Sequence, residues 1–207
     1  MLADTLRTIA ASLESPVIAF LLFLIAAVIF MTGTIVVEFF TSRLQLKAAL
    51  PQLADKLRSE KENTVGVIKS AGLLKRQVAA LVELTEHPLL TSTAREALAV
   101  RLVTTERTHY EGIVKVTDMI AKLGPMFGLL GTLIPLGPGI LALGRGDTYT
   151  LSSSLLVAFD TTIAGLIVAA VAVVISAIRK KWYGEYMASL EMVMECVLEA
   201  ENDREIQ

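Results

Sequence analysis

Apolar positions gather into three long runs, set apart by a charge-rich middle and a short polar turn. The first, Pro16 to Val37, is twenty-two residues without a charge, long enough as a helix to cross roughly 30 Å of hydrocarbon. The second and third read LGPMFGLLGTLIPLGPGILAL (123–143) and LSSSLLVAFDTTIAGLIVAAVAVVISAI (151–178). A cleaved signal peptide does not fit the first run, which is too long and leads into Glu38-Phe39-Phe40 rather than a small-residue cleavage site.

Between the first and second runs the apolar spacing becomes helical. Leu44, Leu46, Leu50, Leu53 and Leu57 make a rough stripe, with Pro51 as a kink or start. Val65, Ile68, Leu73, Leu74, Val78, Leu81 and Val82 make a second stripe, ended by His87-Pro88. Thr93-x-x-Glu96 reads as a capping box that opens a third helix. Nothing stops that helix before about 143, and the third run continues likewise from Lys180 to Ala200. Roughly fifty helical residues make about 75 Å, far more than a bilayer needs. The expected fold is therefore all-α: a polytopic membrane protein with three transmembrane helices, two of them extended into a cytoplasmic helical bundle. Its segments are an extracytoplasmic 1–15, a first span at 16–38, a cytoplasmic 39–122, a second span at 123–143, an extracytoplasmic turn at 144–150, a third span at 151–178, and a cytoplasmic helix at 179–207.

Composition agrees with a membrane protein: 54% apolar, 19% charged, with a mean hydropathy of +0.61. Charge sets the orientation. Thirteen Lys and Arg lie in 43–122, against Arg145 alone in the turn and Arg7 alone in the head. Arg179, Lys180 and Lys181 follow the third span directly, and Trp182 and Tyr183 stand where interfacial aromatics belong. The positive-inside rule then puts the N-terminus outside and the C-terminus in the cytoplasm. A net charge of −2 gives no footprint for nucleic acid. The single cysteine, Cys196, excludes an intramolecular disulfide and multi-cysteine metal sites. His87 and His109 stand far apart, and no catalytic arrangement or metal-ligand spacing accompanies them. No enzyme, no metal and no bound cofactor is expected.

Candidate chemistry sits in the second and third runs. Gly124, Gly128, Gly131, Pro135, Gly139 and Ala142 share one side of a helix, as do Ser154, Ala158, Thr161, Gly165, Ala169, Ala172 and Ser176. Small residues at this spacing let helix backbones approach closely in lipid. Pro125, Pro135 and Pro138 are unusual for one span and free backbone groups that need partners. Thr132 and Thr162 lie at matching edges of their stripes, placed either to satisfy such groups or to line a polar track. Asp160 lies roughly 160° from Thr162 on the wheel, among Leu156, Val157, Ile163, Ala164 and Ile167. A charged carboxylate facing lipid costs several kcal/mol. It is therefore an ion relay, an ion pair with a partner subunit, or a protonated acid bonded to opened backbone.

Gly124-Pro125-Met126-Phe127-Gly128-Leu129-Leu130-Gly131-Thr132 resembles the second-span motif of the MotA/TolQ/ExbB proton-channel family, in which a small residue and Pro precede GLLGT. Ala158-Phe-Asp-Thr-Thr-Ile-Ala-Gly-Leu166 is similar to that family's A-x-x-T-x-x-G-L stretch. Three spans and a large helical loop resemble the TolQ/ExbB branch more than the four-span flagellar stators. The resemblance implies a prokaryotic inner-membrane, homo-oligomeric ring, expected to be a pentamer. It would surround a single-span partner resembling ExbD, TolR or MotB, whose membrane Asp carries the ion. Protons, or alternatively Na+, would be transported rather than held as a cofactor. By the same resemblance Thr132 and Thr162 match pore-facing threonines, while Pro125, Gly128, Gly131 and Gly165 match packing positions. Thr161 and Asp160 are counted with them as candidate ion-pathway residues. Two features depart from the pattern: Asp160 stands where an apolar residue is usual, and Pro135-Leu-Gly-Pro138-Gly is richer in helix breakers. A stand-alone channel or transporter and a non-conducting membrane scaffold are the alternatives.

Overall fold

The computed structural model describes residues 1–40, 66, 68, 73, 75–85 and 91–206. The Leu44–Leu57 stripe, Pro51, Val65, Leu74 and the His87-Pro88 break lie outside the described residues. Among the described residues, five α-helices follow in order: α1 (Leu2–Ser12), α2 (Glu14–Glu38), α3 (Lys75–Thr85), α4 (Ser92–Gly144) and α5 (Thr148–Ile206). No strand occurs among the described residues. Among the described residues, three stretches are long and apolar enough to cross a membrane: Thr8–Glu38 and parts of α4 and α5. The chain is an all-α polytopic membrane protein. It divides into two compact units, Met1–Thr34 with Val114–Ile178, and Ile35–Ile113 with Arg179–Gln207.

In the first unit, α1 ends where Ser12 Oγ donates to the Ile9 carbonyl and Leu13 N–H to the Ala10 carbonyl. Pro16 falls in the first turn of α2, where a missing N–H costs nothing. Along α2, Val17, Leu21, Leu24 and Val28 are buried at helical spacing. The opposite side leaves Leu22, Phe23, Ile29 and Phe30 exposed, as lipid-facing residues are. The rings of Phe20 and Phe127 lie 4.2 Å apart, tying α2 to α4. All three prolines of the second apolar run lie inside α4, which continues through them.

The α4–α5 turn closes with its own chemistry. Asp147 N–H donates to the Ala142 carbonyl and Gly146 N–H to the Leu143 carbonyl, both at 3.0 Å. This is the Schellman pattern, with Gly146 at φ 75° supplying its left-handed residue. Asp147 then caps α5: its Oδ1 accepts the Thr150 N–H at 3.0 Å and its Oδ2 accepts the Thr150 hydroxyl at 2.5 Å. Those two bonds hold the Asp147 carboxyl below the usual carboxylate range.

In the second unit, Ile68, Ala80, Leu81, Leu84, Ala99, Met187, Leu190, Val193, Met194 and Val197 form one core, with Leu73, Val78 and Val82 packed against it. The buried positions of α5 recur at three- and four-residue steps, so one face of the helix fills this core. Buried Gln77 donates to the Tyr186 carbonyl at 3.0 Å. Arg76 grips Glu106 with two bonds of 2.9 Å, the forked geometry that suits a guanidinium. Tyr110 and Tyr183 stack at 4.7 Å, and the Tyr183 hydroxyl donates to Glu38 at 3.4 Å. Burial pushes the Tyr183 phenol up to about 12, so it stays a donor at neutral pH.

One local expectation is corrected. The cap of α4 is Thr91, not Thr93: the Thr91 hydroxyl accepts the Ala94 N–H and its carbonyl accepts the Arg95 N–H. The helix therefore opens at Ser92, and Glu96 falls beyond the capping position. Trp182 and Tyr183, expected as interfacial aromatics, are buried. Phe39 covers Trp182 at 5.9 Å, and Tyr110 covers Tyr183.

Gly146→Ala should destabilise the α4–α5 connection by about 1 kcal/mol, because a Cβ is strained at this φ. Thermal unfolding of the solubilised protein, followed by circular dichroism, checks this through a lowered midpoint.

Candidate functional site

The close approach of α4 and α5 builds the site. A Cβ placed on Gly165 would lie 2.5 Å from the Gly124 carbonyl oxygen and 2.9 Å from Gly128 Cα. One on Gly131 would lie 2.6 Å from Thr161 Cβ, and one on Gly139 would lie 3.1 Å from Ser154 Cβ. The pairs Gly139/Ser154, Gly131/Thr161, Gly128/Gly165 and Gly124/Ala169 move in opposite directions by matched steps. The helices therefore run antiparallel in one register, backbone against backbone. Pro135 is buried, whereas Pro125 and Pro138 are exposed.

The threonines divide sharply in how their hydroxyls are used. Thr161 is 8% exposed, packs on Gly131 and donates to the Val157 and Ala158 carbonyls at 2.9 and 3.0 Å. Its hydroxyl is consumed by its own helix. Half-buried Thr132 donates to the Leu129 carbonyl at 2.7 Å. Thr162, whose Cα lies 3.6 Å from a Cβ on Gly128, buries its hydroxyl oxygen with no hydrogen-bond partner. Thr132 and Thr162 each follow a member of the Gly131/Thr161 contact, so in antiparallel helices they border it on the same side. Both lie roughly 20 Å along their helices from the turn.

Asp160 points elsewhere. It is exposed and lines an open groove of about 330 Å³ with Ile25 of α2 and with Ile163, Ala164 and Ile167. The groove does not include Thr132 or Thr162. The site thus has two parts: a tight seam edged by two threonines, and an apolar groove holding one carboxylate at a similar depth. Among the described residues, no group of three or more His, Cys, Asp or Glu side chains is placed to hold a metal ion.

A further polar contact escapes a reading by apolar pattern. Ser176 donates a short hydrogen bond to Asp118 Oδ1, joining α5 to α4 farther along the same register. Asp118 precedes the apolar run and so attracts no notice as a membrane residue. The available signal is its fourteen-residue separation from Thr132, matched by the separation of Thr162 from Ser176.

The seam predicts a contrast between glycines. Gly165→Ala should destabilise the protein by about 1–3 kcal/mol, since backbone atoms oppose its Cβ. Gly33, with nothing within 4 Å of its Cβ position, should gain roughly 0.5–1 kcal/mol as Gly33→Ala. Thermal midpoints of the two variants, compared with the parent, test the contrast; equal shifts would contradict it.

No curated protein matches the chain. Residues 70–192, more than half of the chain, match the MotA/TolQ/ExbB proton channel family. They contain both faces of the seam, Thr132 and Thr162 included. A membrane protein whose second and third apolar helices meet along this glycine-lined, threonine-edged contact belongs to the MotA/TolQ/ExbB proton channel family.

Proposed function

We propose that this chain is the ion-conducting stator subunit of a motor driven by the proton-motive force, allied to the TolQ/ExbB branch. Several copies, five by family likeness, would form a ring around a single-span partner resembling ExbD, TolR or MotB. The partner's membrane Asp would take the ion along the ring, and ion flow would turn one component against the other. The ring would stand in a prokaryotic inner membrane, with its N-termini outside and the 39–122 segment and tail in the cytoplasm. The transported ion is H+, with Na+ as the alternative.

The observation that carries this reading is the Thr162 hydroxyl, buried without a partner at the edge of the seam. A buried polar group without a bond costs roughly 1–3 kcal/mol. In the working complex, an ion, a water or the partner's carboxylate would meet that hydroxyl. Thr132 borders the same contact from the other helix, with its hydroxyl able to turn from the Leu129 carbonyl. Thr161 serves the reading only as packing. Asp160 would supply an ionisable group at the same depth, on a face separate from the threonines. Pro125, Gly128, Gly131 and Gly165 keep the helices close, and Pro135 and Pro138 free carbonyls that polar groups can use.

Thr162→Val and Thr132→Val should each abolish energised ion uptake by liposomes holding the chain and its partner, while leaving the oligomer assembled. Uptake without the partner would favour a stand-alone channel. Absence of uptake with or without it would favour a scaffold. Asp160→Asn is expected to lower uptake if the carboxylate bears the ion; full retention would assign it a neutral, hydrogen-bonding role.

A further inference from the structure

The register that aligns the glycines also aligns a second polar rung. From Gly131/Thr161 the pairs step to Gly124/Ala169 and then to Asp118/Ser176, each move back along α4 matched by a similar move along α5. Fourteen residues turn a helix to within about 40° of its starting direction. Asp118 thus lies on nearly the same side of α4 as Thr132, and Ser176 on nearly the same side of α5 as Thr162. Distance along the helices separates the rungs. Thr132 and Thr162 lie roughly 20 Å from the turn, whereas Asp118 and Ser176 lie about 40 Å from it, at the far boundary of a bilayer. A carboxylate is affordable at that boundary, where water reaches it, and not at the midplane.

Thr117, beside Asp118, is fully buried, and Ser176 is buried as well. Asp118 itself is half-buried, with part of its surface open. A bare structural clasp between two helices would be served equally by a neutral amide. An ionisable group with an open side, held in line with the threonines, suits a station where ions pass between seam and water.

We propose that Asp118, oriented by Ser176, is the ion-exchange carboxylate at the end of the α4–α5 seam remote from the turn. It takes up or releases the transported proton or Na+ there, and Ser176 acts as a positioning residue by donating to one carboxylate oxygen. This rests on the conducting reading of the chain. The threonines and Asp118 lie about 20 Å apart along the helices, so water must bridge the rungs in the working state.

The test uses the full chain with its single-span partner in liposomes, reading dye-reported proton uptake and Na+ uptake under an imposed potential. Asn at 118 can still accept the Ser176 hydroxyl but cannot carry a proton or a charge. Asp118→Asn should leave the oligomer intact by native mass spectrometry and reduce uptake at least roughly tenfold. Asp118→Glu should restore a substantial part of it. Ser176→Ala should reduce uptake less than Asp118→Asn. Parent-level uptake in Asp118→Asn, beside conduction lost in Thr162→Val, would overturn the proposal and leave the conducting reading standing. Failure of Asp118→Asn to assemble would also overturn it, since the bond would then be architectural. No uptake by the parent would remove both.

Discussion

Backbone contact between α4 and α5 is the constraint from which the rest of the first unit follows. The Gly165 Cβ position lies 2.5 Å from a Gly124 carbonyl oxygen, so no other residue fits without moving a helix. Lipid provides no hydrophobic gain from pressing two apolar helices together. What holds them is dispersion between backbones at short range, together with hydrogen bonds at the few polar rungs. Such contact also fixes register. A shift of one residue would set Thr161 against something other than Gly131, and the seam would open.

That fixed register gives the threonines different fates. Thr161 faces the partner backbone, fills the space left by Gly131 and gives its proton to its own helix. Its neighbour Thr162 stands at the margin, with its oxygen buried and unbonded. One residue step, about 100° of rotation, separates a packing hydroxyl from one available to something outside the chain. Residue type alone does not distinguish them; the contact does.

Much of this was legible in the sequence. The three apolar runs and the small-residue stripes follow from composition and helical period, and the family likeness rests on the GLLGT and A-x-x-T-x-x-G-L segments. The Asp160 neighbours Ile163, Ala164 and Ile167 also follow from the wheel, though Ile25 of α2 does not. Local competition among equivalent residues was not legible. Thr91, Ser92 and Thr93 are all acceptable helix caps, and only the geometry selects Thr91. Trp182 and Tyr183 have interfacial composition but are claimed by Phe39 and Tyr110, partners distant in sequence. Asp118 was invisible for a related reason: its meaning comes from Ser176, fifty-eight residues away.

The same seam limits where an ionisable group can stand. A carboxylate within the glycine contact has no room, and one at the midplane pays heavily to be charged. Asp160 and Asp118 meet these limits in different ways. Asp160 is turned away from the glycine contact into the groove with Ile25, where it has space. Asp118 stays in register with the seam, but about 20 Å farther from the turn than Thr132. Between them the seam itself carries hydroxyls, which bind ions without holding a charge of their own. On the conducting reading, those hydroxyls bring no full charge to the seam, and a carboxyl on a separate helix passing Thr162 would supply it there.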